Sequence, residues 1–360
     1  MSDTPNANRS PSMRDVAKSA GVSQKTVSRV VNGETYVNTE TAKRVQDAIT
    51  TLGFRPNEIA RNLRQGQKTA TIGLIIEDIA NPFYSQVARG VESIARREGS
   101  LIITGSSEED PTLEQELVQT LLRRRVDGLI LVPSRGDHTY LKTTLQGIPI
   151  VCIDRPANHF SSDTILLENR NGSERGVQYL IRSGHNRIAY IGGYPTVFTG
   201  QERFAGYRQA LEVAGLTFEP TLVRHDCHDI EHAEAAMLEL LALPKPPTAV
   251  FCSSNRTTLG VIHALYTHKT QIEIVGFDEV ELADLLPFPF MMLRHDPVEL
   301  GRRAAQLLFQ RLRGQTSPLE LAIVPVELVA SNRALVKRDQ VEHDQIKKST
   351  SVRKRPTTLR

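Results

Sequence analysis

The chain has 360 residues, 39% apolar and 24% charged, an ordinary soluble composition with room for two or three cores. Its net charge of +3 is a cancellation: residues 1–68 carry 11 Lys/Arg against 6 Asp/Glu, residues 337–360 carry 8 against 3, and the middle carries 25 against 32. Basic ends on an acidic body point to a polyanion at the ends, and no apolar run reaches the roughly 18 residues of a membrane span, so a membrane role is excluded.

Residues 1–11 are polar and lack a hydrophobic signal core, so a flexible arm on a cytoplasmic protein is expected. The stretch Met13 to Asn32, MRDVAKSAGVSQKTVSRVVN, reads as two short helices joined by a tight turn. Val16, Ala17 and Ala20 mark one face of the first; Val27, Val30 and Val31 mark one face of the second. Gly21 can take the positive φ of a sharp exit, Val22 tucks between the helices, and Ser23 is a good N-cap. Gln24, Lys25, Ser28 and Arg29 then point outward. Lys25 and Arg29, four residues apart, repel by about 0.2–0.5 kcal/mol in an isolated helix, and a polyanion reverses that sign. These are side-chain types that read base edges or hold phosphates in a major groove. A solvated face would explain one basic pair; the capped, glycine-punctuated tandem makes the stretch a helix-turn-helix.

Gly33 ends the second helix, and a third follows Thr39 and Glu40, with Ala42, Val45, Ile49 and Leu52 as its apolar stripe. Together these form a helix-turn-helix domain over residues 12–55, marginal by itself at that size. Residues 56–69 contain one short helical stretch, Asn57 to Arg64, too short to be stable alone. It suits either a plain linker or a hinge that folds only on DNA.

From Ala70 the pattern alternates strand and helix. Apolar strand runs occupy 71–76, 100–104, 127–132, 149–153, 187–191, 221–225, 248–252 and 272–277. Helix-length segments lie between them, near 84–98, 112–125, 172–183, 202–214, 230–242 and 256–268. Continuous apolar strands alternating with helices imply parallel sheets covered on both faces. The fold class expected is an α/β core of two doubly wound lobes behind an all-α N-terminal domain. The first lobe is placed at 70–160 plus 291–318, the second at 161–290 plus 319–336, with a disordered basic tail at 337–360. Cys152, Cys227 and Cys252 have no metal or redox spacing, so no metal or cofactor is expected.

The series DVAKSAGVSQKTVSRVVNG, FRPNEIARNLRQGQKTATIGLI, NPFY, DGLIL and VGFDEVELADLLPFPF closely resembles the lactose/galactose repressor (LacI/GalR) family, from about Met13 to Arg333. The resemblance implies a homodimer on a palindromic double-stranded DNA operator, each second helix in a major groove. It places Gln24, Lys25 and Arg29 at base-reading positions and Thr26, Ser28 and Asn32 at phosphate or supporting positions. Leu63 falls where a hinge-helix leucine wedges into the minor groove, with Ala60 and Arg64 lining it, and this favours the hinge over the linker.

The resemblance also implies a small-molecule effector, a sugar or sugar derivative, bound between the lobes at strand C-terminal ends. The matching positions are Asp78, Phe83, Tyr84, Asp154, Arg203, Ser254, Asn255 and Asp278. Carboxylates and an arginine suit sugar hydroxyls, and Phe83 suits a sugar ring. Glu168-Asn169 and Ser254-Asn255 depart from the family's more frequent pairs and leave the particular effector open. No leucine-heptad extension follows residue 336, so a dimer is expected. The competing readings are a sugar-binding protein without a DNA role and a doubly wound enzyme using Asp78, Asp154 or Asp278. No dinucleotide fingerprint, P-loop or nucleophile elbow supports the enzyme, and His185 reads as the cap of a helix-to-strand turn.

Overall fold

The computed structural model describes residues 11–34, 36–54, 69–281, 283–286 and 290–331. The chain divides into two compact units between Thr69 and Ala70. Residues 1–10 of the expected arm, the hinge positions Ala60, Leu63 and Arg64, and the tail at 337–360 lie outside the described residues.

In the first unit, α1 (Met13–Ala20), α2 (Gln24–Val31) and α3 (Thr39–Leu52) pack around Val16, Val27 and Val45, which are fully buried. Ala17, Ala20, Ala48 and Phe54 complete this small core, and Val22 packs against it as expected. The Asp15 carboxylate accepts from the Ser12 amide at 2.8 Å, satisfying a donor at the helix start. Gly21 adopts φ +64°, which lets the Val22 amide reach back to Ala17 O at 3.0 Å. Ser23 caps α2 by accepting from the Thr26 amide at 3.1 Å.

The second unit contains two six-stranded sheets. In chain order its elements are β1 (Thr71–Ile76), α4 (Pro82–Arg97), β2 (Leu101–Ser106), α5 (Pro111–Arg123), β3 (Gly128–Leu131), α6 (Leu141–Thr144) and β4 (Ile150–Ile153). Then come β5 (Asp163–Leu167), α7 (Asn169–Arg182), β6 (Ile188–Ile191), α8 (Phe198–Val213), β7 (Val223–Arg224) and α9 (Ile230–Leu241). The chain continues through β8 (Ala249–Cys252), α10 (Asn255–His268), β9 (Glu273–Phe277), β10 (Met291–Arg294), α11 (Pro297–Leu312), β11 (Leu321–Val324) and β12 (Glu327–Ala330). The first sheet is wholly parallel, ordered β11-β5-β4-β3-β1-β2. The second is ordered β12-β10-β9-β8-β6-β7, and only β12 runs antiparallel, against β10. The central strands β3, β4, β6 and β8 are buried along their whole length, which is why they read as unbroken apolar runs. Where α4 crosses α11, the helices approach so closely that a Cβ on Gly90 would lie 2.1 Å from Val298 O, and one on Gly301 2.1 Å from Val87 O.

The sheets revise how the lobes divide the sequence. The strand at 163–167, allotted to the second lobe, pairs with β4 in the first sheet. Residues 319–336, allotted whole to the second lobe, contain strands of both sheets: β11 extends the first beside β5, and β12 joins the second. Residues 291–294, allotted to the first lobe, form β10 beside β9 in the second sheet. Connections of one or two residues, at Glu168, His295–Asp296 and Pro325–Val326, carry the chain between lobes after β5, before α11 and after β11. The strand expected at 221–225 shortens to two residues behind a single 3-10 turn at Pro220–Leu222.

Candidate functional site

In the N-terminal unit, Gln24, Lys25, Arg29 and Asn32 are exposed on α2, and Thr26 and Ser28 are half-buried. Thr26 belongs to the cap, its hydroxyl 2.9 Å from that of Ser23, so it steadies the helix start. The Arg29 guanidinium lies 3.6 Å from the Glu34 carboxylate; both are well exposed, and such a pair holds the arginine weakly. The α2 face is therefore polar, cationic and accessible. The hinge positions add nothing here, lying outside the described residues.

The second unit has a cleft at the C-terminal ends of the central strands of both sheets. Phe83, Tyr84, Asp154, Arg203, Ser254, Asn255 and Asp278 all line it. Asp154 and Asp278 occupy equivalent places, directly after β4 and β9, and both take the left-handed conformation with φ of +68° and +72°. Each amide stays in its sheet, Asp154 N donating to Ile165 O at 2.9 Å and Asp278 N to Leu293 O at 3.1 Å. This geometry turns each carboxylate into the cleft instead of along the strand.

On the wall of the second lobe, Arg203 is almost completely buried. Its Nε donates to Asn169 Oδ1 at 2.8 Å and its Nη1 to Ser253 O at 2.6 Å, while its guanidinium lies 3.7 Å from the Phe277 ring centroid. Its sequence neighbour Glu202 pairs with Arg170, at 2.6 Å. Asp278 lies 3.8 Å from Arg203, with His295 Nε2 at 2.8 Å and the Asn255 amide at 3.3 Å. Burial alone would raise the Asp278 pKa, but Arg203, His295 and that amide hold it below the usual carboxylate range.

The first lobe's wall centres on Arg155, which the sequence reading does not single out. Its guanidinium donates to Glu109 at 2.7 Å, Glu77 at 2.6 Å, Asp154 at 3.2 Å and the Tyr84 hydroxyl at 2.9 Å. Tyr84 in turn donates to Glu77 at 2.9 Å; burial and the surrounding carboxylates hold it well above the usual phenol range, so it stays a neutral donor. Burial raises Glu109 and Asp154 despite the pull of Arg155. Glu77, which burial would also raise, is held low by the charge and hydrogen bond of Arg155. Three carboxylates around one cation leave this wall acidic.

Two contacts bridge the lobes at the mouth. Asn255 Nδ2 donates to Asn81 Oδ1 at 2.9 Å, and Arg256 forms an ion pair with Asp78. Asp78 is thus a correction: it sits at the rim in this pair and does not line the cleft, while its neighbour Glu77 does. Phe83 packs edge-on against Tyr84 and His295, with centroids 4.8 and 5.4 Å away, so only its margin reaches the cleft. Sequence reasoning also misses Glu109, Asn81 and Arg256. The only local signal was the dipeptide Asp154-Arg155 at a strand end, since the other partners come from distant loops. His185 is bracketed by Thr248 at 2.9 Å and Glu273 at 2.7 Å, in keeping with a turn cap.

Residues 12–57 match the model of bacterial regulatory proteins of the lacI family. Residues 69–330 match that of periplasmic binding proteins and the sugar binding domain of the LacI family. Among curated relatives, the ribose operon repressor of Escherichia coli K12 is 34% identical over 314 residues, covering 84% of this chain and 94% of that protein. The transcriptional repressor CytR of the same strain is 30% identical over 333 residues, covering 90% and 96%. Among solved structures, the Lac repressor dimer bound to operator and the anti-inducer ONPF aligns with a TM-score of 0.77 at 25% identity, covering 89% of this chain and 98% of that one.

Proposed function

The chain belongs to the LacI family of bacterial regulatory proteins, and from that premise we propose how its two units divide the work of an effector-controlled transcriptional repressor. It is a regulator and not an enzyme. A homodimer acting in the cytoplasm binds a palindromic operator, as the Lac repressor dimer is bound to its own. Gln24, Lys25 and Arg29 read bases from the major groove; Thr26, Ser28 and Asn32 hold phosphates or support the helix. Ala60, Leu63 and Arg64 form the minor-groove hinge. The observation that carries this reading is the exposed Gln24–Lys25–Arg29 row on a capped second helix. The test is selection of operator DNA from a random pool by full-length protein at two salt concentrations. Enrichment of a palindrome is expected; enrichment of nothing, with or without a sugar pool, overturns the reading.

The effector is a hydroxyl-rich sugar or sugar derivative without a phosphate. Glu77, Glu109, Asp154 and Asp278 supply charged acceptors for hydroxyl donors, and Arg203 supplies donors from the opposite wall. Arg155 is already enclosed by carboxylates, so a phosphate would meet repulsion there. Closure through Asp78–Arg256 and Asn81–Asn255 couples occupancy of the cleft to the arrangement of the lobes, a shift between two states. Calorimetry against matched pairs, a free sugar and its phosphate ester, should show binding of the free form alone.

A further inference from the structure

The run His225 to His232, HDCHDIEH, holds three of the chain's ten histidines, a cysteine and three carboxylates in eight residues. It connects β7 to α9, and neither the DNA face nor the Arg155 network uses it. Asp229 caps α9, accepting from the His232 amide at 2.8 Å. Its carboxylate lies 2.7 and 2.8 Å from His232 Nδ1 and 3.4 Å from His228 Nε2. One ligand atom from each of the three residues falls within 4.8 Å of the others, and the two imidazole rings are 4.7 Å apart.

The hydrogen bonding of His228 gives a second reason to look for a cation here. Its Nδ1 is 3.0 Å from the Asp226 carbonyl oxygen, which can only accept, so the ring proton sits on Nδ1. That leaves Nε2, 3.4 Å from Asp229 Oδ2, as the ring atom able to take a ligand. An imidazole N–H anchored on a carbonyl is also the usual support behind a metal-bound histidine.

We propose that His228, Asp229 and His232 bind a divalent transition-metal ion of the zinc or cobalt class, leaving a coordination position to water at the rim of the effector cleft. Two imidazoles and one carboxylate are a borderline donor set that suits Zn²⁺ or Co²⁺ better than Mg²⁺ or Ca²⁺. The ion would act on the cleft through a stack. Tyr194 lies parallel to His228, 11° between planes at 5.0 Å. Arg135 of the first lobe lies 4.8 Å from the Tyr194 ring centroid, its amide held by Glu109 at 2.7 Å. A bound metal fixes His228, and so steadies Tyr194 where the lobes meet.

The test uses full-length protein carrying no polyhistidine tag, stripped with chelator and titrated with Co²⁺, then with Zn²⁺ as competitor. One Co²⁺ per chain is expected, with visible d–d absorption that Zn²⁺ abolishes. His228→Ala and His232→Ala should each weaken binding by at least about tenfold. Asp229→Asn keeps a competent helix cap and so keeps the fold, yet should weaken binding similarly. His268→Ala, an exposed change in the last turn of α10, should leave binding unchanged. Absence of saturable binding in the wild type, or unaltered binding in Asp229→Asn and His232→Ala, overturns the proposal.

Discussion

Replacing Arg155 with methionine removes a cation from the centre of three carboxylates while preserving most of the side-chain volume. Arg155, Glu109 and Asp154 side chains are 5%, 7% and 4% exposed, so water cannot screen what remains. Breaking a buried ion pair from one side costs about 3–5 kcal/mol. At about 2–4 °C per kcal/mol for a domain approaching this size, the effector unit should lose roughly 6–20 °C in Tm at neutral pH. Glu109 and Asp154 already titrate above their ordinary values, and losing Arg155 raises them further. A carboxyl whose folded pKa is raised stabilises the fold only while protonated, and that contribution is lost as pH rises through the folded value. The deficit should therefore be largest near neutrality and shrink as the pH falls toward the ordinary carboxylate range. Glu109→Gln added to Arg155→Met should recover part of it. Thermal unfolding by circular dichroism at two pH values, on single and double variants, measures all three effects. An equal deficit at both pH values, or one below about 1 kcal/mol, would refute the electrostatic account and leave only packing.

Arg203→Lys keeps the charge but loses the bond from Nε to Asn169 and the flat contact with Phe277; calorimetry should show at least about tenfold weaker effector binding, with operator affinity unchanged when no effector is present. Arg29→Ala should cost about 1–3 kcal/mol in specific operator binding by fluorescence anisotropy, and an equal loss on random DNA would make Arg29 a phosphate contact instead. Effector affinity should fall as pH drops below the raised values of Glu109 and Asp154, because protonation removes acceptors; calorimetry across a mildly acidic series reads this directly. Gly301→Ala places a methyl against Val87 O, forces α4 and α11 apart, and should cost about 1–3 kcal/mol in chemical denaturation.

Eight strands, β1 to β4 and β6 to β9, and the longer helices between them were legible because the central strands are unbroken apolar runs. What the pattern could not carry was partnership. β5, β10 and β11 are short strands that each lead into a crossing of one or two residues, and nothing in Asp163–Leu167 or Leu321–Val324 says which sheet they join. The same limit governs the cleft. Asp154, Arg203 and Asp278 sit inside recognisable segments and were found. Glu77, Glu109 and Arg155 form one network from three separate strand ends, without any spacing for a sequence pattern to detect. Asp78 shows how fine the resolution must be, since the cleft is lined by the residue before it.

On the ribosome, β1 to β4 emerge long before α11 and β11, although Ile130, Val151 and Ile165 share one core cluster with Leu300, Ala304 and Leu308. Until those last helical residues are translated, an apolar sheet face stays bare and the outer edge of β5 has no neighbour. Such intermediates are sticky, and exposed strand edges recruit one another. The nascent chain thus carries an unfinished first lobe through most of its synthesis, the period when chaperone cover matters most. A premature stop codon after the second lobe's inner strands would yield an aggregation-prone fragment, not a half-functional protein.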